Sequence, residues 1–254
     1  MSRLLILPAL TILTCCFSDD HKVPLPRLLN PNDSAKVVSE IAPPAGYKRM
    51  DVAQHSFANW LRSISLKKDK HVYLYNGSLK RNQSAQFAVL NISVGHKDLQ
   101  QCADALMRLR AEYLFSEKRY SEIEFRDNTN KSYKWNGGSN RTEFDKYLEK
   151  VFGMCGSASL EKQLRPVTNL RDMQQGDVFI KGGFPGHAMI VIDIAVNAKG
   201  NKVFMLAQSY MPAQDIHIVK NPSDLLLSPW YEINDTVEID TPEWTFFNNQ
   251  LRRW

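Results

Sequence analysis

"GFPGHAMIVIDI", residues 183–194, decides the fold. An apolar run rich in branched residues (Ile190, Val191, Ile192 and Ile194) starts directly after His187. Gly183, Pro185 and Gly186 form a loop ahead of it that no helix tolerates, so the run reads as a buried strand entered at His187. A histidine at that place has three readings: a satisfied core residue, a metal ligand or a catalytic base.

Working outward, "GDVFIKGG" (176–183), "KVFMLAQSY" (202–210) and "DIHIVKN" (215–221) are further strand patterns, joined by short turns such as "NAKGN" (197–201). The first half is different. "KDLQQCADALMRLRAEYLF" (97–115) is the strongest helix signal, and "QHSFANWLRSI" (54–64) is a shorter one with Ser56 as its cap. "HVYLYNG" and "AQFAVLNISVG" read as strands, "EIEFRD" as a weaker one, and helices are expected over 142–152 and from near Ser159. Helices first and an antiparallel sheet afterwards make this an α+β domain, expected over residues 47–254.

The chain has 254 residues, 43% of them hydrophobic, with a net charge of +5. That composition is globular, and the basic residues are dispersed apart from short groups such as Lys67, Lys68 and Lys70, so nucleic acid is not an expected partner. The N-terminus "MSRLLILPALTILTCC" sets Arg3 ahead of a short apolar run and two cysteines, which is a signal peptide rather than a membrane span. It resembles a lipobox, with a plain secretory signal cleaved elsewhere as the alternative. Residues 1–15 are read as the leader, Cys16 (with Cys15 as the alternative) as the lipidated residue and membrane anchor, and the Pro- and Asn-rich stretch 16–46 as a tether. The implied location is the cell envelope.

Two stretches carry chemistry. Asp98 and Gln101 are placed to cap the long helix, which puts Cys102 in its first turn. Free N–H groups and the dipole there stabilise a thiolate, and the same N–H groups suit an oxyanion. Against this, Leu99, Cys102, Ala103, Leu106, Leu109 and Tyr113 share one helical stripe, the pattern of a packed cysteine.

A helix-head cysteine, then Gly176-Asp177 opening one strand and Gly186-His187 opening the next, resembles the NlpC-type and CHAP-type branch of the papain-like superfamily. That resemblance implies a central helix packed on an antiparallel sheet and a histidine facing the cysteine sulfur, with a polar residue on the following strand. Gln208 is that residue here, its amide oxygen expected to accept the Nδ1 proton of His187 and leave Nε2 for the thiol. The Asp-Cys-Ser-Gly signature of the NlpC branch is replaced by "QQCADA". The blocks "DLQQCADALMRLRAEYL", "GDVFIKGGFPGHAMIV" and "LAQSYMPAQDIHI" also make the chain, over about residues 46–245, look like a member of a family of bacterial lipoproteins known as domain of unknown function 4846.

The remaining candidates are weaker. Cys155, after a helix end, is expected to pack or to form a disulfide with Cys102. His217 alternates with Ile216 and Ile218 and is expected to face solvent. No HxxH, HExxH or CxxC occurs, so neither a metal nor another cofactor is expected. Arg108 and Arg110 diverge by about 200 degrees on a helix, so one of them reaches an acidic substrate group or an ion pair while the other meets solvent. Tyr210 shares a strand face with Gln208 and is a candidate substrate contact; Trp135, Trp230 and Tyr231 either line a groove for glycan or peptide or form the rim of a core. The expected function is a cell-envelope thiol hydrolase, of cysteine peptidase or amidase type, acting on peptidoglycan peptides. A non-catalytic binding or scaffold lipoprotein for peptide or glycan is the alternative, with acyl transfer a third.

Overall fold

The computed structural model describes residues 35–234 and 237–254. In chain order these give β1 (Tyr47–Arg49), α1 (Phe57–Ser63), β2 (Gln86–Val89), α2 (Cys102–Ser116) and the hairpin β3 (Glu124–Arg126) and β4 (Ser132–Lys134). Then come α3 (Arg141–Met154), α4 (Ser157–Gln163), β5 (Arg165–Pro166), β6 (Val178–Lys181), β7 (His187–Asn197), β8 (Lys202–Gln208) and β9 (His217–Val219). β10 (Tyr231–Glu232), the hairpin β11 (Glu238–Asp240) and β12 (Thr245–Phe247), and β13 (Leu251–Arg253) close the chain.

One antiparallel sheet runs in the order β2-β9-β8-β7-β6-β13-β5, with β10 added to β8 and β1 to the far end of β7. Together with four α-helices this is an α+β fold. β7 is its hub: the nine residues His187–Ala195 are all buried. Ala188, Ile190 and Ile192 pack with α2 in one core, whereas Met189 and Val191 pack with Phe179, Phe204 and Phe246 in a second core on the other face. Both faces of an antiparallel strand are covered here because the C-terminal hairpin β11–β12 lies over the face that α2 leaves free.

Local capping explains the helix starts. Ser56 Oγ accepts the Asn59 N–H at 3.1 Å and Asn140 Oδ1 that of Glu143 at 3.2 Å, each satisfying a donor the helix itself leaves unpaired. α2 is buried on several sides, Ala105, Met107 and Ala111 included, rather than along one stripe. That is the position of a helix enclosed between a sheet and other helices.

Three expectations change. "HVYLYNG" is not a strand: its residues make only the bridges Tyr73 to Leu79 and Leu74 to Gln214, because Asn76-Gly77 turns the chain at once. The tether does not extend to residue 46, since Val38 and Ile41 are fully buried in the first core. Asp193, buried in β7, holds that segment: its carboxylate binds Arg49 Nε at 2.6 Å and Arg62 Nε at 2.7 Å, and Arg49 also donates to the Ile41 carbonyl. Finally, α2 opens at Cys102 instead of near Asp98. The leader, Cys15, Cys16 and residues 17–34 lie outside the described residues.

Candidate active site

Cys102 is the first residue of α2, because Gln101 is still extended and its N–H donates to Asp104 Oδ2 at 3.1 Å. Asp98, the expected cap, is used elsewhere: its Oδ1 accepts the Ala213 N–H at 2.7 Å and Gln101 Nε2 at 3.2 Å, fastening the loop after β8 to the helix head. The backbone N–H groups of Cys102 and Ala103 favour the thiolate, as expected at a helix start, and that of Ala188 on β7 does the same. They are outweighed. Burial and the neighbouring Asp104 push the thiol up to about 11, so the resting sulfur is protonated, contrary to the lowered value expected from its place on the helix. Asp104 is itself raised well above the carboxylate range by burial.

His187 opens β7 at the α2 head, and Gln208 ends β8 beside it. Their side chains meet, His187 Nε2 lying 2.7 Å from Gln208 Oε1. Gln208 therefore takes Nε2, the nitrogen expected to serve the thiol, and Nδ1 is the ring nitrogen that Gln208 leaves free. Rings of Tyr210, Trp244 and Phe246 surround the imidazole at centroid distances of 4.7, 5.3 and 5.8 Å. Burial lowers His187 to about 4, so it is neutral at pH 7. Among the described residues no hydrogen bond joins the Cys102 sulfur to His187; the β7 group that favours the Cys102 anion is the N–H of Ala188, the next residue along. Alternation explains this, since Ala188 faces α2 and His187 faces the second core.

Gln208 is anchored in turn. Its Nε2 lies 2.9 Å from Glu243 Oε2 and 3.2 Å from His217 Nε2. Glu243 also binds Lys80 Nζ at 2.5 Å and Asn82 Nδ2 at 3.1 Å. His217 is thus not a solvent-facing residue: it is fully buried, with Nδ1 2.9 Å from the Asp215 carbonyl. Asp215 is buried too, paired with Lys67 at 2.8 Å and accepting the Tyr73 N–H at 3.1 Å. Residues 67–80 cover the face that alternation alone assigned to solvent.

A cavity of about 300 Å³ opens at the helix head, lined among others by Cys102, Asp104, Cys155, Ser157, Phe184 and Met211. Phe184 and Met211 stand exposed on it. Both cysteines are free thiols. Arg108 lies elsewhere, in a neighbouring cleft with Arg141, where it donates to the Ser93 carbonyl at 2.9 Å and Gln100 Oε1 at 2.8 Å and pairs with Glu112 at 3.4 Å. It ties loop to helix and lines no part of the Cys102 cavity. Arg110 stacks on Phe57, Tyr113 and Trp254. Trp135, Trp230 and Tyr231 belong to the cores, which leaves Tyr210 as the named aromatic that reaches the site.

Sequence reasoning missed Ala188, Asp104, Lys80, Glu243 and Trp244. The last two sit in "TPEWTFF" (241–247), where a Thr-Pro turn precedes an aromatic run; that signal marks a hairpin but not what the hairpin covers. Among the described residues no group of three or more His, Cys, Asp and Glu side chains is arranged to hold a metal ion.

The family model described as domain of unknown function (4846) matches residues 37–140 and 127–253, which together span most of the chain. The chain belongs to that family. No curated protein and no solved structure matches it.

Proposed function

We propose that this chain is a thiol hydrolase of papain-like type, with Cys102 as nucleophile, His187 as base and then acid, and Gln208 as the residue that orients the imidazole. The observation that carries the reading is Cys102 at the head of α2, packed against β7, whose first residue is a histidine held at Nε2 by Gln208. Both groups are neutral at rest, so attack and proton transfer are concerted. The Cys102 sulfur bonds to the substrate carbonyl carbon while the thiol proton passes through one water to His187 Nδ1, since no hydrogen bond joins the two side chains directly. The Cys102 N–H serves the oxyanion. Collapse breaks the bond to the leaving amine or alcohol, which takes the proton from His187. Water then adds to the thioester carbonyl as His187 takes a proton from it, and the Cys102 thiol is released by that proton.

The leader-like N-terminus "MSRLLILPALTILTCC" supports an envelope lipoprotein anchored through Cys16. In that place the peptide part of peptidoglycan is the proposed substrate class. The test is mass spectrometry of muropeptides incubated with the full chain and with Cys102→Ala. Cleavage that depends on Cys102 is expected; equal cleavage by the variant rejects the assignment.

A second reading, a binding or scaffold lipoprotein, is favoured by the protonated thiol and the enclosed imidazole. It predicts muropeptide binding without cleavage, unchanged in Cys102→Ala.

A further inference from the structure

Three side chains on neighbouring strands, His187 of β7, Gln208 of β8 and His217 of β9, lie on one sheet face, and Gln208 and His217 are register partners. Glu243 reaches the same cluster from the loop between β11 and β12. We propose that Glu243 and His217 are positioning residues that fix the Gln208 amide and thereby hold His187 as the Nε2–H tautomer, with Nδ1 bare. This rests on the reading of His187 as the base.

The hydrogens are assigned from what each neighbour is able to do. The Asp215 carbonyl only accepts, so His217 Nδ1, 2.9 Å away, carries a proton. His217 stays neutral in its fully buried site beside Lys80, its value lowered to about 3, and its Nε2 is therefore an acceptor. That nitrogen, at 3.2 Å, and Glu243 Oε2, at 2.9 Å, both confront one end of the Gln208 side chain. Two acceptors require two donors, so that end is the NH₂. The other end is Oε1, 2.7 Å from His187 Nε2, which must then donate. An inverted amide would set its oxygen against the carboxylate and the bare nitrogen, and its NH₂ against His187 Nε2. The ring proton would move to Nδ1, and the nitrogen needed as a base would become a donor. Lys80, buried and 2.5 Å from Glu243, pairs with the carboxylate and holds it in place.

The test is a long-range proton–nitrogen correlation spectrum of the full chain with ¹⁵N-histidine at pH 7, read for both rings. Expected is a pair of opposite tautomers, Nε2–H at His187 and Nδ1–H at His217. Finding Nδ1–H at His187, or the same tautomer on both rings, overturns the proposal with no variant needed. Replacing the ion pair as a unit, Lys80→Met with Glu243→Met, avoids an orphaned charge and is expected to raise the Nδ1–H share of His187 about fivefold, the weight of one hydrogen bond. No rise in a variant that retains its native circular dichroism removes Glu243 from the role. The spectrum needs no turnover. Opposite tautomers without Cys102-dependent cleavage keep this inference and reject the hydrolase, and cleavage with the inverted pair does the reverse.

Discussion

Gln208 Oε1 lies 2.7 Å from His187 Nε2, at the meeting of the ends of two adjacent strands, inside a wall of Tyr210, Trp244 and Phe246. The imidazole is gripped by one nitrogen and by its faces. It cannot be displaced without disturbing both β8 and the C-terminal hairpin, so the consequences extend to reactivity, stability and loop geometry.

The first concerns the thiol. With Cys102 at about 11, roughly one molecule in ten thousand carries a thiolate at pH 7. Alkylation of Cys102 by iodoacetamide, followed by peptide mass spectrometry, is expected to accelerate about tenfold per pH unit from pH 7 to 10. A rate already level below pH 8 contradicts the buried, neutral thiol.

Acid stability follows from the two buried histidines. His187 at about 4 and His217 at about 3 both lie below the ordinary 6.5, so folding favours the neutral rings. Their contribution is complete above pH 6.5 and is lost as pH falls through those folded values, because the unfolded chain takes up protons first. Urea unfolding at pH 7, 5 and 4 is expected to show stability dropping by up to about 1.4 kcal/mol per pH unit for each ring. A His217→Gln chain with the same pH slope as the parent would count against this.

Gly186 is the residue on which the position of His187 depends. A Cβ there meets the Gly183 carbonyl, Ser157 Oγ at 2.6 Å and the Lys181 carbonyl at 2.9 Å, two of them backbone groups that cannot swing away. Gly186→Ala is expected to leave the fold in place, move the loop into His187 and cut any Cys102-dependent turnover about a hundredfold, the effect of an ångström-scale misplacement. Unchanged turnover, with unfolding measured in parallel, would show that the loop does not set the base.

Asp193 makes a stability prediction independent of the site. Its carboxylate is fully buried between Arg49 and Arg62, and Asp193→Ala strands two partly buried guanidinium groups. A loss of about 3–5 kcal/mol is expected in denaturant unfolding, with faster proteolysis in the segment around Val38 and Ile41. A loss below about 1 kcal/mol would mean that apolar packing alone holds that segment.

Much of the scaffold is legible along the chain, since it rests on local rules. Branched residues after the Gly183–Gly186 loop make β7, Ser56 caps α1, and the helical spacing of apolar residues through Cys102–Ser116 makes α2. Strand adjacency even brings Gln208 to His187. Misreadings arose wherever a distant segment covered a face. His217 alternates like a solvent residue but is fully buried, and Cys102 has the helix position of an activated thiol but the burial of a core one.

Periodicity by itself determined which residues share a face and which strands are neighbours, because both depend on the repeat of the backbone. Only the tertiary structure decided what lies over each face. It brought Lys80 and Glu243, 163 residues apart, behind Gln208. The ring nitrogen that holds a proton and the charge of the thiol depend on those non-local neighbours and on exclusion of water, which no local pattern encodes.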